Sequence, residues 1–300
     1  MRVTDNATAR MVLATLQQQQ ERVYTLQQQV SSGMRINAPS DDPVSAQQAL
    51  DMKVLIAAND QYSRNIATGN TWLAQMDSSL SDMNNVMVRA RELATQMANG
   101  IYDASARQSA ANEIQGLKDQ LISLGNTQIG GKYIYGGFVS DKPPFDANGN
   151  FNGTGDSINI QIDQQSFIAI NYSGGKLLRG LTGTPPVKTG TDIIDTLDQL
   201  KTDLQSNDTN NVRSSIVKIN SSIQQIQAAQ GDVGARENRL EKAGDILTGT
   251  RDYLTKALSG KQDADFTQVL SDLAKQQTAY QATLASTAMF SKISLLDYMR

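Results

Sequence analysis

Apolar residues recur at alternating intervals of four and three along most of this chain. Near the N-terminus the stripe is Val12, Leu16, Gln19, Val23, Leu26 and Val30; near the C-terminus it is Phe266, Leu270, Leu273, Gln277, Tyr280 and Leu284. That spacing holds one stripe on one side of an α-helix, which must then find a partner helix. Two longer runs lie between them. One passes through Leu55, Asn59, Tyr62, Ile66, Gly69, Leu73, Met76, Leu80, Met83, Met87, Ala90, Ala94 and Met97. The other runs from Val212 through Ile219, Ile226, Val233, Glu237, Leu240 and Leu247 to Leu258 without a slip of phase. A sustained pattern of this kind predicts extended helices in a bundle.

The breaks between runs divide the chain. Gly33, Pro39 and Pro43 interrupt the first helix, with Ser40 or Asp41 as the expected N-cap of the next and Pro43 in its first turn. Asn99-Gly100 stops that helix, roughly 80 Å long at 1.5 Å per residue. A shorter helix from about Ser105 carries Ala110, Ile114, Leu117, Leu121 and Leu124, forming an antiparallel hairpin with its predecessor. The period then changes to two over 132–139, 157–163 and 166–172, with Asn148-Gly149 and Asn152-Gly153 as turn signals. Pro185-Pro186 closes this part, a short helix with Ile194, Leu197, Leu200 and Leu204 follows, and Ser259-Gly260 breaks the chain before the last helix.

The expected fold is therefore mainly α with a small β insert: an elongated antiparallel helical bundle or coiled-coil rod with both termini at one end. Three parts are expected: 1–40 plus 261–300 as a terminal coiled coil, 41–131 plus 184–260 as a long-helix bundle, and 132–183 as a β-rich insert. A single pair of terminal helices leaves its flanks uncovered, so both are expected to gain order when neighbouring copies cover them.

Composition removes most chemistry. The 300 residues include no cysteine and no histidine, so the thiolate nucleophile, the commonest general base and the usual soft metal ligands are missing. The formal charge of -3 is spread without a basic block, which speaks against a nucleic-acid partner. No run approaches the ~20 apolar residues of a membrane span. Asp41-Asp42 reads as helix capping rather than a catalytic pair. The stretch from Asp146 to Asn152 imitates half a calcium loop but has Phe151 where glycine is required, so a hairpin turn is the better reading. Gly130-Gly131-Lys132 and Gly174-Gly175-Lys176 lack the rest of a phosphate loop and read as turns into strands. A glycosidase using two carboxylates of the insert is disfavoured because the insert is too turn-rich for a cleft. No catalytic residue, metal site or cofactor is expected.

Several motifs resemble the bacterial flagellin family. Ser31-Ser32-Gly33-Met34-Arg35-Ile36-Asn37 is similar to its N-terminal motif, and Pro39-Ser40-Asp41-Asp42-Pro43 to the hook-associated protein 3 branch rather than the filament branch. Tyr133 to Phe138, the run Gly234 to Glu241, and the ending Ser294 to Arg300 follow in the family's order; Ser45 stands where many members have glycine or alanine. The resemblance implies an extracellular structural protein at the junction of hook and filament, in a ring between hook-associated protein 1 and flagellin. It implies export through the flagellar secretion channel without signal cleavage, and a chaperone holding the C-terminal helix beforehand. A filament-forming flagellin is the alternative, and a helical sensor lacks a membrane span. On this reading Val12, Leu16, Val23, Leu26, Val30, Leu270, Leu273, Tyr280 and Leu284 are expected to carry polymer contacts, and Arg35, Asp41 and Asp42 to contact subunits at the elbow.

Overall fold

A computed structural model describes residues 2–183 and 185–298. Met1, Thr184, Met299 and Arg300 lie outside the described residues, so the expected boundary at 184 and the last two positions of the terminal motif are not located. The chain divides into two units, one of residues 1–58 and 249–300, the other of residues 59–248. The fold is mainly helical with a small β insert, as the periodicity predicts.

The unit of residues 59–248 holds the main core. Helix α2 (Pro43–Met97) and helix α6 (Thr209–Gln262) run antiparallel, because successive residues of one meet receding residues of the other. Asn59 donates from Nδ2 to Leu247 O at 3.0 Å, and a Cβ at Gly69 would touch Leu240 at 3.0 Å and Ile160 at 2.6 Å. Leu73, Met76, Leu80, Met83 and Met87 are fully buried, as are Val212, Ile219, Ile226, Val233 and Leu240. Each such side chain contributes about 1.5–3 kcal/mol by leaving water.

Helix α3 (Ala104–Gly125) is capped by Asp103, whose carboxylate accepts Ala106 N–H at 2.8 Å. It folds back on α2, with Ser79 Oγ donating to Leu124 O and Arg89 Nε to Glu113 at 2.8 Å. Near the turn Arg107 reaches back to Met97 O at 3.1 Å. Lys118 pairs with Asp198 at 2.7 Å and Lys201 donates to Gln115 at 2.8 Å, which sets α5 (Ile193–Gln205) antiparallel to α3.

The β part is smaller than its alternation predicts. Strands β1 (Gln128–Ile129) and β2 (Lys132–Tyr133) turn on Gly130 and Gly131, whose φ values of 56° and 79° suit a two-residue hairpin. The expected strand over 132–139 stops after Tyr133. Ile134 and Tyr135 are both fully buried, which a strand with alternating faces cannot do against a one-sided core, and Gly137 turns the chain at φ 66°. Strands β3 (Asn159–Asp163) and β4 (Ser166–Ala169) fall within the expected segments 157–163 and 166–172 and pair antiparallel, with a register irregularity between Gln161 and Asp163. Arg236 of α6 fastens it, donating from Nη1 to Ala169 O at 3.1 Å and Asn171 O at 2.8 Å while pairing with Asp232 at 2.6 Å.

Gly174-Gly175-Lys176 opens a single-turn helix, α4 (Gly174–Leu178), instead of a strand. The glycines are needed because Cβ atoms there would meet the rings of Phe145 and Phe151 at 2.8 and 2.7 Å. Strands β5 (Leu181–Thr182) and β6 (Val187–Lys188) then pair across the two prolines. Ile134, Tyr135, Phe145, Ile162, Ile168, Leu177 and Leu178 join the helices in one core, so the β residues complete it rather than forming a separate one.

Two helix boundaries differ from expectation. Asp42, not Ser40 or Asp41, caps α2, accepting Ser45 N–H at 3.1 Å with Pro43 as the first helical residue. Helix α6 continues through Ser259-Gly260 to Gln262, and the break falls at Asp263–Asp265, where Asp265 accepts Thr267 N–H at 3.0 Å to start the next helix. One glycine costs a helix only about 1 kcal/mol, which a long packed helix absorbs.

Two polar side chains of this unit generate predictions. The hydroxyl of Tyr135 lies beside Ser79 but makes no hydrogen bond of acceptable geometry, and burial pushes its pKa far up. Replacing it (Tyr135→Phe) removes an unsatisfied group, and the urea midpoint is expected to hold or rise by the equivalent of about 1 kcal/mol; a clear fall would show that the hydroxyl is bonded. Glu237 stands in the α6 seam with its pKa raised above the usual 4.5, first by partial burial and then by the charge of Asp77. The folded state binds this proton more tightly than the unfolded one, so the penalty is present at neutral pH and fades as pH falls through the folded pKa. Glu237→Gln should therefore stabilise at neutral pH by no more than about 0.5 kcal/mol, since solvent screens a group that is only partly buried. The gain should be absent below the usual 4.5 in denaturant titrations.

Candidate assembly surface

The unit of residues 1–58 and 249–300 is built on helix α1 (Arg2–Ser32) and helix α7 (Phe266–Tyr298). They pack against each other antiparallel, since the C-terminal end of α1 is joined to the start of α7. Val12, Leu16, Gln19, Val23, Leu26 and Val30 are all half-buried and none is fully covered, which matches a stripe served by a single partner. Met11, Leu13 and Tyr24 stay exposed at 71%, 60% and 67%.

Helix α7 contains two overlapping frames with the same 3/4 spacing. Val269, Leu273, Gln276, Tyr280, Thr283 and Thr287 form the covered frame, with Val269 buried and the rest half-buried. Phe266, Leu270 and Leu284 belong to the other frame and remain exposed at 50%, 46% and 43%. Of the expected polymer-contact residues on α7, Leu273 and Tyr280 therefore face the intramolecular partner, whereas Leu270 and Leu284 face outward. The more apolar frame is the uncovered one. Sequence spacing could not separate them, because both frames share Leu273 and Tyr280.

The elbow between α1 and α2 is held by backbone bonds. Helix α1 ends at Gly33, whose φ of 70° supplies the left-handed residue that closes a helix. Arg35 N–H donates to Gln262 O at 2.7 Å and Ala264 N–H to Gly33 O at 2.9 Å, a short bridge between the two crossings of the chain. The Arg35 guanidinium donates from Nη2 to Lys261 O at 2.9 Å, at the C-terminal end of α6. Its Nη1 lies 3.5 Å from the carboxylate of Asp42, the cap at the N-terminal end of α2. One cation thus joins the negative pole of one helix to the carboxylate at the positive pole of another.

Asp41 accepts Ala38 N–H at 2.8 Å and Asn37 N–H at 2.9 Å, which closes the turn. These two amides, Ala38 first, hold its pKa below the ordinary 3.8. The pKa of Asp42 is lowered by its hydrogen bonding to Ser45 and, more weakly, by Arg35. The structure thus brings Arg35 and Asp42 together as expected, while Asp41 serves the turn. Ile36, Ala46, Ala49, Leu50, Lys53 and Gln262 surround an adjoining surface recess of about 210 Å³. Ile36 and Gln262 are buried and were not singled out from sequence; the only signal was one isoleucine within a polar turn. Along the first turns of α2 the inward face is Ala49, Met52 and Ile56, so Leu55, placed in the seam by its spacing, is exposed at 54% together with Leu50 and Val54.

None of this resembles a catalytic cleft. Among the described residues no group of three or more acidic side chains is placed to hold a metal ion, and no helix is long and apolar enough to cross a membrane. The carboxylate of Asp146 is occupied by its own loop, accepting the amides of Asn148 and Asn150 at 2.9 and 2.8 Å.

Comparison with known proteins agrees with this architecture. Residues 3–139 match the bacterial flagellin N-terminal helical region and residues 216–299 the bacterial flagellin C-terminal helical region. Flagellar hook-associated protein 3 of Escherichia coli K12 is 29% identical over 289 residues, covering 90% of each chain. The same protein of Salmonella typhimurium LT2 is 28% identical over 100% of both chains. The flagellin of Bacillus subtilis 168 is 26% identical over 96% of this chain and 95% of its own. In solved structures, FlgL of Bacillus cereus superposes with a TM-score of 0.60 at 22% identity, over 70% of this chain and 99% of that one. Hook-associated protein 3 of Legionella pneumophila does so with a TM-score of 0.61 at 16% identity, over 70% and 97%. With both helical regions matched on either side of the β segment, the chain belongs to the bacterial flagellin family of flagellar structural proteins.

Proposed function

We propose that this chain is the adaptor at the hook–filament junction, assembled as a ring between hook-associated protein 1 and the flagellin filament. Its work is geometric, matching a flexible hook-side assembly to a stiffer filament. The observation that carries this reading is the second frame of α7: Phe266, Leu270 and Leu284 are left in water while a less apolar frame faces α1. A helix that covers its weaker face within the chain keeps the stronger one for another chain. Full-length similarity to relatives named hook-associated protein 3 supports the junction over other flagellar positions. A filament-forming flagellin is the second reading, supported by the near full-length similarity to the flagellin of Bacillus subtilis.

On this proposal the protein is extracellular, leaves through the flagellar export channel without signal cleavage, and is held beforehand by a chaperone on its C-terminal helix. Export fits a chain without cysteine, which no disulfide can trap on its way out. Val12, Leu16, Val23, Leu26, Val30, Leu273 and Tyr280 lie where subunits would extend the α1–α7 contact, Leu270 and Leu284 where a new helix would dock. Arg35, Asp41 and Asp42 shape the elbow presented to neighbours.

The deciding experiment is complementation. A flagellated host lacking its own junction gene should make hooks without filaments and lose flagellin to the medium, and this chain should restore filaments; filaments built of this chain alone would favour the flagellin reading. Leu284→Asp or Leu16→Asp places a charge in the contact, a cost of about 2–3 kcal/mol that should cut incorporation on the order of 30-fold or more. Melting of the 59–248 unit should be unmoved, since both residues belong to the other unit; retained motility in both variants would count against the contact assignment. The elbow has its own test. Both aspartate pKa values are depressed, so their contribution is complete above 3.8 and is lost as pH falls through the folded values. In an NMR titration the amides of Asn37, Ala38 and Ser45 are expected to move with midpoints below 3.8, and midpoints at or above it would mean the hydrogen bonds are not formed in solution.

A further inference from the structure

Asn-Gly occurs at Asn99-Gly100, Asn148-Gly149 and Asn152-Gly153, and the fold treats these steps differently. In such a step the glycine nitrogen can attack the asparagine side chain, because no Cβ hinders its approach. At Asn148-Gly149 the attacking amide is engaged: Gly149 N–H donates to Asp146 O at 3.0 Å, and Gly149 is buried at φ 83°. At Asn152-Gly153 the flanking amides are held, Asn152 N–H by Pro144 O at 2.8 Å and Thr154 N–H by Gly136 O at 3.0 Å. Gly153 itself is wedged so that a Cβ would lie 2.7 Å from the Phe151 ring and 2.9 Å from Gly136 O. Asn99-Gly100 is held less closely: the Asn99 amide makes one long bond, to Gln96 O at 3.3 Å, and among the described residues neither a bond to the attacking nitrogen nor a packed wall confines Gly100. Both residues are exposed in the α2–α3 turn, Gly100 faces open space, and among the described residues nothing accepts from its N–H.

The same turn contains a cation with no carboxylate partner among the described residues. Arg107 is 4% exposed and donates to three neutral acceptors: Met97 O at 3.1 Å, Asn99 O at 3.0 Å and the side-chain oxygen of Asn207. Arg213 adds a second guanidinium, 3.4 Å from Ala98 O. A buried guanidinium bonded only to neutral oxygens forms a stronger pair with a carboxylate.

We propose that Asn99 is a self-modification site that converts to isoaspartate, and that Arg107 receives the carboxylate so formed. Gly100 N bonds to Asn99 Cγ while the Cγ–Nδ2 bond breaks, and ammonia leaves with the proton from Gly100. One water then opens the resulting five-membered imide. Opening at Cγ gives ordinary aspartate. Opening at the former main-chain carbonyl gives isoaspartate, in which that carbon carries the free α-carboxylate. Its oxygen is the atom that already accepts from Arg107 Nη2, so the fold favours the second product and converts a neutral hydrogen bond into an ion pair.

The test is to age the full chain in mildly alkaline buffer, folded and in urea. Peptide mass and enzymatic methylation of isoaspartyl carboxylates then locate and quantify the products. In the folded chain Asn99 should convert at least roughly tenfold faster than Asn148 or Asn152, and in urea the three should converge, since only local structure separates them. The isoaspartate-to-aspartate ratio at Asn99 should be higher folded than unfolded. Gly100→Ala, for which there is room, should suppress conversion at Asn99. A stable Asn99, or Asn148 or Asn152 converting as fast in the folded chain, overturns the site; an unchanged product ratio overturns the role of Arg107.

Discussion

Everything in the larger unit depends on the antiparallel seam between α2 and α6. Asn59 meets Leu247, Ile66 lies over Gly244 and Leu240 lies over Gly69, so side chains of each helix sit against glycines of the other. The pattern leaves little freedom of register. Asn59 is a polar residue 5% exposed within a mostly apolar seam, and its amide reaches a single backbone carbonyl. Gly69 selects the alignment, since Leu240 and Ile160 close on it and sliding the helices by a turn would set a larger side chain against them. Once the seam is in register, α3 and α5 pack where Lys118 meets Asp198, and the β3–β4 hairpin lies over the glycine of α2 with Arg236 fastening it.

The smaller unit obeys a different balance. Its two long helices bury no residue of the α1 stripe completely, and α7 turns its less apolar frame inward. A monomer optimised only for its own stability would place Phe266, Leu270 and Leu284 against α1. Polar order is invested at the elbow instead, where Arg35 ties the end of α6 to the cap of α2 and Asp41 closes the turn. A firm elbow beside half-covered helices is what the subunit proposed above would need, and flagellar filament components are the partners its family implies.

The sequence made the helices legible because helical periodicity is a local property. The stripe of α1, the seam of α6 and the face of α5 all lie where their spacing puts them, and Pro43, Asn99-Gly100 and Gly33 mark real ends. Errors arose where two local solutions were equally good. Asp41 and Asp42 are both competent caps, and only the turn that consumes Asp41 through Asn37 and Ala38 leaves Asp42 free to cap. Alternation over 132–139 looked like a strand because each residue type suits one, yet the core takes Ile134 and Tyr135 together. The helical turn at Gly174 depends on two phenylalanine rings more than twenty residues away in sequence.

By itself the sequence determined that this protein is a set of long helices with a small β part and no histidine or cysteine chemistry, because periodicity and composition act along the chain. Its ordered motifs also carried the likeness to flagellins. Only the tertiary structure decided which frame of α7 is covered, which carboxylate caps and which closes the turn, and which Asn-Gly step lies open beside a buried arginine. Those choices rest on contacts between residues far apart in the chain, where equally spaced alternatives differ only in what the folded neighbours leave room for.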